Sequence, residues 1–358
     1  EYTFFLHLKS FTNRNKMKKK IVFIMNPISG TSDKKDIPYL IEELLDKEQF
    51  DYSIRETEYA GHAYEIAKES KEQGIDIVVA VGGDGTVNEV GRALVHSNTA
   101  LGIIPTGSGN GLARHLLIPM KIKGAIQVLN DYEITDLDYG IINEHPFFCT
   151  CGVGFDAFIS EKFAEAGKRG PITYLENILK EGLKYEPETY EIEAENGTIK
   201  KKAFLISCAN ASQYGNNAYI APQASMSDGM IDVIIMEPFD ALEASQISIE
   251  MFNKTLDKNN KIKTFRSKEI KIYRKAPGVI HYDGDPIDTG KEIVVTLKEK
   301  GIKILTNPKA DRSLRQPNQI QNAAAELFSE LTQIREDVTK QTRNIKAIGK
   351  KIQRKLNI

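Results

Sequence analysis

Two aspartates flank one glycine at Asp283-Gly284-Asp285. In that spacing one carboxylate can take a proton from a hydroxyl while the other orients it or helps hold a cation. Asp-Gly is also an ordinary turn, so the tripeptide alone is also compatible with no chemistry. Three other segments have the makings of anion cradles. Gly82-Gly83-Asp84-Gly85-Thr86 sets glycines where a backbone can close on a ligand and turn its N–H groups toward negative charge. Thr86 adds a hydroxyl at the start of the helix expected to follow, whose positive end favours an anion. Asp84 can orient a nucleotide, take part in binding magnesium, or act only as a capping aspartate. Asn26-Pro27-Ile28-Ser29-Gly30 and Pro105-Thr106-Gly107-Ser108-Gly109-Asn110 are loops of the same kind. Each is weak alone, because these residue types dominate all turns; three at one edge of a sheet are a stronger sign.

The elements around these loops supply that edge. Apolar runs at 21–25, 77–81 and 101–104 each end in one of the three loops. Unbroken Ile/Val runs suit strands covered on both faces. Helical spacing at 36–45, 61–73, 86–94 and 111–117 alternates with them, which predicts a parallel α/β sheet with ligands at the carboxyl ends of its strands. Beyond about residue 140 the pattern changes. Asn196-Gly197 between apolar segments predicts a hairpin over 190–207, and short strands are expected at 231–236, 270–274, 279–282, 293–297 and 302–305. Helices are expected at 157–166, 174–182 and 241–253. The second half therefore reads as a mostly antiparallel β domain. No phosphate-binding GxxxxGK[ST] loop is present, and no GxGxxG follows a strand, which disfavours a nicotinamide-dependent dehydrogenase.

At 358 residues the chain is long enough for two domains, and 41% hydrophobic with 27% charged residues is a globular composition. No apolar run reaches membrane-spanning length. Three cysteines make no disulfide framework and are read as reduced thiols of a cytoplasmic protein, with Cys149 and Cys151 expected on one face of a strand. His281 is read as a packed core histidine and His115 as half of a helix-surface pair with Arg114. The net charge of −1 conceals an asymmetry. Residues 307–358 hold eleven Lys/Arg against five Asp/Glu, so the tail is basic and the remainder acidic. From Ile320 a heptad runs to Ile352, a seam for self-association or for packing on the body. The last sixteen residues of the chain, 343–358, carry six basic groups and no acid, which suits an anionic lipid surface. Nucleic acid is not expected, since the basic stretch lacks interleaved aromatics. Residues 1–16, ahead of Met17, are read as a leader or a disordered segment.

Taken together, NPISG (26–30), TEYAGHA (57–63), GGDGTVNEV (82–90), PTGSGNGLA (105–113), GFDA (154–157), SDGMIDV (227–233) and HYDGDP (281–286) resemble the diacylglycerol kinase catalytic-domain family, which includes bacterial lipid kinases and sphingosine kinases. The motifs cover residues 20–306 in the family's order. The resemblance implies an ATP-binding α/β domain at 17–141, a β-sandwich lipid-substrate domain at 142–306, and a cleft between them, with 307–358 as linker and basic helix. It implies ATP contacts from Asn26, Pro27, Ile28, Ser29, Gly30, Thr57, Gly83, Asp84, Gly85, Thr86, Val87, Asn88, Glu89 and Thr106. It implies a magnesium ion held by the Ser225 carbonyl, Asp228 and the Met230 carbonyl, although an Asp-Gly turn before a strand explains that segment as well. The family carries Glu where this chain has Asp285, so Asp285 and Asp283 both stand as candidate bases. The expected activity is transfer of the γ-phosphoryl group of ATP to a primary hydroxyl of a membrane lipid, diacylglycerol or sphingosine-like, by a cytoplasmic, peripherally membrane-associated enzyme. The alternatives are an NAD kinase or a non-catalytic nucleotide- or lipid-binding regulator.

Overall fold

The computed structural model describes residues 18–28, 34–157, 159, 178–179, 182–195 and 197–310. Ser29, Gly30, residues 1–16, the tail beyond Ala310 with its heptad, and most of the helices expected at 157–166 and 174–182 lie outside them. Four strands, β1 (Lys19–Met25), β2 (Phe50–Glu56), β3 (Ile77–Gly82) and β4 (Ala100–Pro105), pair in parallel in the order β2-β1-β3-β4. The central strands β3 and β4 are buried at every residue, as their sequences demand. The edge strand β2, Phe-Asp-Tyr-Ser-Ile-Arg-Glu, went unforeseen because only one face needs apolar residues there. The helices are α1 (Ile37–Leu44), α2 (His62–Glu72), α3 (Asp84–Leu94), α4 (Gly111–His115) and α5 (Ile122–Asn130). Helix α2 packs on α3, and α1 on α5.

The second half is a sandwich. A six-stranded sheet, ordered 262–267, 231–236, 205–209, 150–154, 278–282, 285–289, faces the antiparallel half of the ten-stranded sheet. Alternation along Ile231–Met236 shows the construction. Ile231, Val233 and Ile235 meet Ile192, Ile270, Ile272 and Val295 of the facing sheet. Ile234 and Met236 point the other way, to Ala244, Ile247 and Met251 of α6 (Ala241–Asn253). Asp240 starts α6 with a capping box, its carboxylate accepting from Leu242 and Glu243 N–H.

Two expected elements differ in how they divide. The stretch 198–207 is two strands, Gly197–Ala203 in one sheet and Leu205–Ala209 in the other, because the chain changes sheets at Phe204. The strands expected at 293–297 and 302–305 are one, Glu292–Thr306, bent at a register shift between Lys298 and Ile302 where Lys300 has φ 49°. This strand ties the halves together. Its Val295 pairs with Ile270 of the sandwich, and its Ile304 pairs in parallel with Leu101 of β4.

Candidate active site

The glycine loops touch backbone to backbone. A Cβ on Gly107 would lie 2.4 Å from the Gly83 Cα, and one on Gly82 would strike the Thr86 side chain. Only glycine permits either approach. Asn110, in the left-handed region at φ 54°, clamps its own loop: its Oδ1 accepts from Gly107 N–H at 3.0 Å and its Nδ2 donates to Gly107 O at 2.7 Å. Asp84 does cap a helix, but not its own. Its carboxylate accepts from the N–H groups of Asn110 (2.7 Å) and Gly111 (2.6 Å), at the start of α4. The second loop reaches the third in this way. The first joins them through Asn26, whose Nδ2 donates to Thr86 Oγ1 at 3.3 Å. Thr106 is buried, its N–H on Gly82 O; Pro27, Ile28 and Gly85 stay exposed.

Glu89 and Asn88 face other ways. Glu89 accepts from Gly61 and Ala63 N–H (2.9 and 3.1 Å), capping α2 and fixing the segment that begins at Thr57. Thr57 itself is half-buried, its N–H on Met25 O. Val87 is a core residue. Asn88 is 1% exposed and donates to Asp283 Oδ2 at 2.9 Å, across the seam between the two halves.

The two aspartates of the DGD turn have opposite surroundings. Asp283 sits at φ 48° and accepts four hydrogen bonds: Asn88 Nδ2 and Phe148 N–H on Oδ2, Cys149 and Thr150 N–H on Oδ1, at 2.7–3.1 Å. All of its strong acceptor positions are used. Asp285 is exposed, and no hydrogen bond from a described residue reaches its carboxylate. Burial raises Asp283, opposed by its donors. Burial and then the Asp283 charge raise Asp285, with Arg92 pulling it down. Burial also pushes Asp84 up to about 6 against backbone N–H donors from Gly111, Asn110 and Asp84 itself, with Asp283 adding to the rise. A cavity of about 20 Å³, lined by Asp84, Phe148, Tyr214 and Asp283 among others, lies between the halves, room for about one water. A larger one of about 440 Å³ opens beside Pro286, lined by Phe155, Tyr185, Tyr190 and Val279.

The Ser225–Met230 turn is built separately. Its Gly229 N–H and Lys300 N–H both donate to the buried carboxylate of Asp138. A carboxylate and two backbone carbonyls are hard oxygen donors of the kind magnesium takes, with waters completing the shell. Those residues fit the ion by donor chemistry, although among the described residues the Asp228 carboxylate already accepts from Met230 N–H at 3.2 Å and from Arg266. Asp228 is ion-paired with Arg266, which lies opposite Asp232 in the strand register and bonds it too.

Several residues escaped the sequence reading. Lys34, pushed down to about 8 by burial, donates to Asn26 O at 2.6 Å and steadies the first loop. Arg92 stacks 5.2 Å from the Tyr64 ring centroid on the acceptor side of α3. Neither stands in a recognisable pattern; only helix spacing from Glu89 hinted at Arg92. Two side-chain expectations are corrected. His115 is buried, its Nδ1 3.0 Å from Ser212 Oγ, because α4 is covered by the segment around Gln213. Cys149 and Cys151 do not share a face: Cys149 precedes the strand Thr150–Gly154 and packs in the α/β core, Cys151 in the sandwich core. All three cysteines are buried and free.

Comparison with known proteins follows the same division. Residues 20–142 match the model of the diacylglycerol kinase catalytic domain, and 149–298 that of the YegS C-terminal NAD kinase beta sandwich-like domain. An uncharacterised protein of Synechocystis sp. is 30% identical over 283 residues, 74% of this chain and 65% of its own length. A protein of Chromohalobacter salexigens named "Probable lipid kinase YegS-like" is 31% identical over 209 residues, 56% of this chain and 67% of its own. A diacylglycerol kinase of Staphylococcus saprophyticus is 28% identical over 274 residues, 75% of this chain and 90% of its own. The crystal structure of a diacylglycerol kinase from Bacillus anthracis superposes with a TM-score of 0.65 at 20% identity, covering 82% of this chain and 99% of that one.

Proposed function

Because the chain belongs to the diacylglycerol kinase catalytic-domain family, we propose that it is an ATP-dependent lipid kinase, moving the γ-phosphoryl group to a primary hydroxyl of a diacylglycerol or sphingosine-like membrane lipid. The observation that supports this is the meeting of the interlocked glycine loops with Asp285, whose carboxylate accepts no hydrogen bond from a described residue, at the seam between the halves. The loops and the N-terminus of α3 offer backbone N–H groups to the phosphates. Asp285 takes the proton of the acceptor hydroxyl as its oxygen bonds to the γ-phosphorus and the bond to ADP breaks. Asp283, saturated by four donors, holds the turn in place and is assigned no proton transfer. When bound, magnesium supplies neutralisation of phosphate charge or, on Ser225, Asp228 and Met230, bracing of that turn. The cavity beside Pro286 suits an acyl chain.

Among the described residues no helix is long and apolar enough to cross a membrane. The basic segment 307–358 supports peripheral binding to anionic lipid; removing it is expected to abolish pelleting with anionic liposomes, and unchanged pelleting would refute that part. The central test is transfer of labelled γ-phosphate to diacylglycerol, sphingosine and NAD in turn. Label on a lipid, lost in Asp285→Asn, supports the reading. Label on NAD alone, or none anywhere, overturns it.

A further inference from the structure

Beneath the DGD turn runs a buried polar chain that the proposed chemistry does not use. His281 and Asp156 are both fully buried, with His281 Nε2 2.6 Å from Asp156 Oδ2. The other oxygen of Asp156 accepts from the Tyr214 hydroxyl. On the far side of the ring, Gly284 N–H donates to His281 Nδ1 at 3.4 Å. A backbone N–H can only donate, so Nδ1 is the acceptor and the ring proton is on Nε2, pointed at Asp156. The order is therefore Gly284 to His281 to Asp156, with Tyr214 closing the end.

Each link is made by a close approach that the strands provide. His281 lies opposite Gly152 in the sheet, and a Cβ on Gly152 would lie 1.9 Å from Asp156 Oδ2. Glycine at that position is what admits the carboxylate between the strands. At the other end the Tyr214 carbonyl lies against Gly111, where a Cβ would stand 3.1 Å from it, beside the residues that Asp84 caps. The chain thus begins at the peptide one residue before Asp285 and ends against the third glycine loop.

We propose that His281 is a positioning residue for Asp285: with Asp156 and Tyr214 it holds the acceptor-side turn in register with the phosphate loops. A buried polar group that bonded nothing of consequence would be costly, and a Leu of similar bulk would fill the same space. The hydrogen bonds place the turn; the ring touches neither substrate.

This rests on the kinase reading, and the experiment separates the two. Initial rates would be measured for wild type, His281→Leu, His281→Gln and Tyr214→Phe against varied ATP and varied lipid, with melting temperatures alongside. His281→Leu is expected to lower kcat roughly 10- to 100-fold with the KM for ATP unchanged, since the phosphate loops are held independently by Asn110 and Asp84. His281→Gln keeps one acceptor and one donor and is expected to recover most of that loss. Tyr214→Phe removes one donor, keeps the ring, and is expected to lower kcat about 3- to 10-fold. Full activity in folded His281→Leu, no recovery in His281→Gln, or an unchanged Tyr214→Phe overturns the positioning role alone. Should His281→Leu fail to fold, the Gln and Phe variants decide. A wild type that labels no lipid overturns the kinase reading and this one with it.

Discussion

Asp283→Asn separates the two candidate bases, and its effect follows from the hydrogen bonds. The carboxylate accepts four donors, two on each oxygen. A carboxamide keeps one oxygen and turns an NH₂ group toward the other pair. Two buried donors lose their acceptor, at roughly 1–3 kcal/mol each. Part of this is returned, because burial opposes the native charge, so a net loss of about 2–4 kcal/mol is expected, or roughly 5–15 °C in melting temperature. Asp285→Asn should do the reverse. The residue is exposed and no described residue hydrogen-bonds its carboxylate, so stability should change by less than about 0.5 kcal/mol, while turnover falls by roughly 10²–10⁴. Thermal melting by circular dichroism and labelled-phosphate transfer on the same preparations measure both. If Asp283→Asn melts like wild type, or Asp285→Asn melts lower than Asp283→Asn, the assignment of one aspartate to structure and one to chemistry is wrong.

Gly107→Ala should push the second and third loops apart, since its Cβ would lie 2.4 Å from the Gly83 Cα; the KM for ATP is expected to rise at least about tenfold with the sandwich intact, and an unchanged KM would refute the backbone contact. Asp84 binds its proton more tightly folded than unfolded, with its value raised to about 6, so its contribution is full below about pH 4 and is lost as pH rises through 6, by about 3 kcal/mol. Urea unfolding of wild type and Asp84→Ala from pH 4 to 7 should show the gap between them shrink accordingly, and a gap that widens would give the wrong sign. Arg266 competes for Asp228, so Arg266→Gln should melt several degrees higher with millimolar magnesium than with chelator, and wild type should shift less; equal shifts would sink the competition.

Much of this protein was legible in its residues. The apolar runs ending in Gly83, Gly107 and the Asn26 loop, the helices after them, the switch to antiparallel strands and the motif set follow from local patterning, and local patterning is a property of neighbours in the chain. Edge strand β2 was hidden because an edge needs only half an apolar pattern, and the sheet change at Phe204 because both strands it joins are apolar. Which groups carry charge toward a ligand was not legible, since Asp84, Glu89 and Asp283 look like ligand carboxylates in sequence. Each proves to be occupied by N–H groups brought from elsewhere: Glu89 by Gly61 and Ala63, Asp84 by Asn110 and Gly111, Asp283 by a segment 133–135 residues away. Spacing along the chain determined the residue types and the elements holding them. Only the tertiary structure decided which carboxylate the described residues leave without a donor, because an acceptor is used up by whatever donor the fold puts beside it.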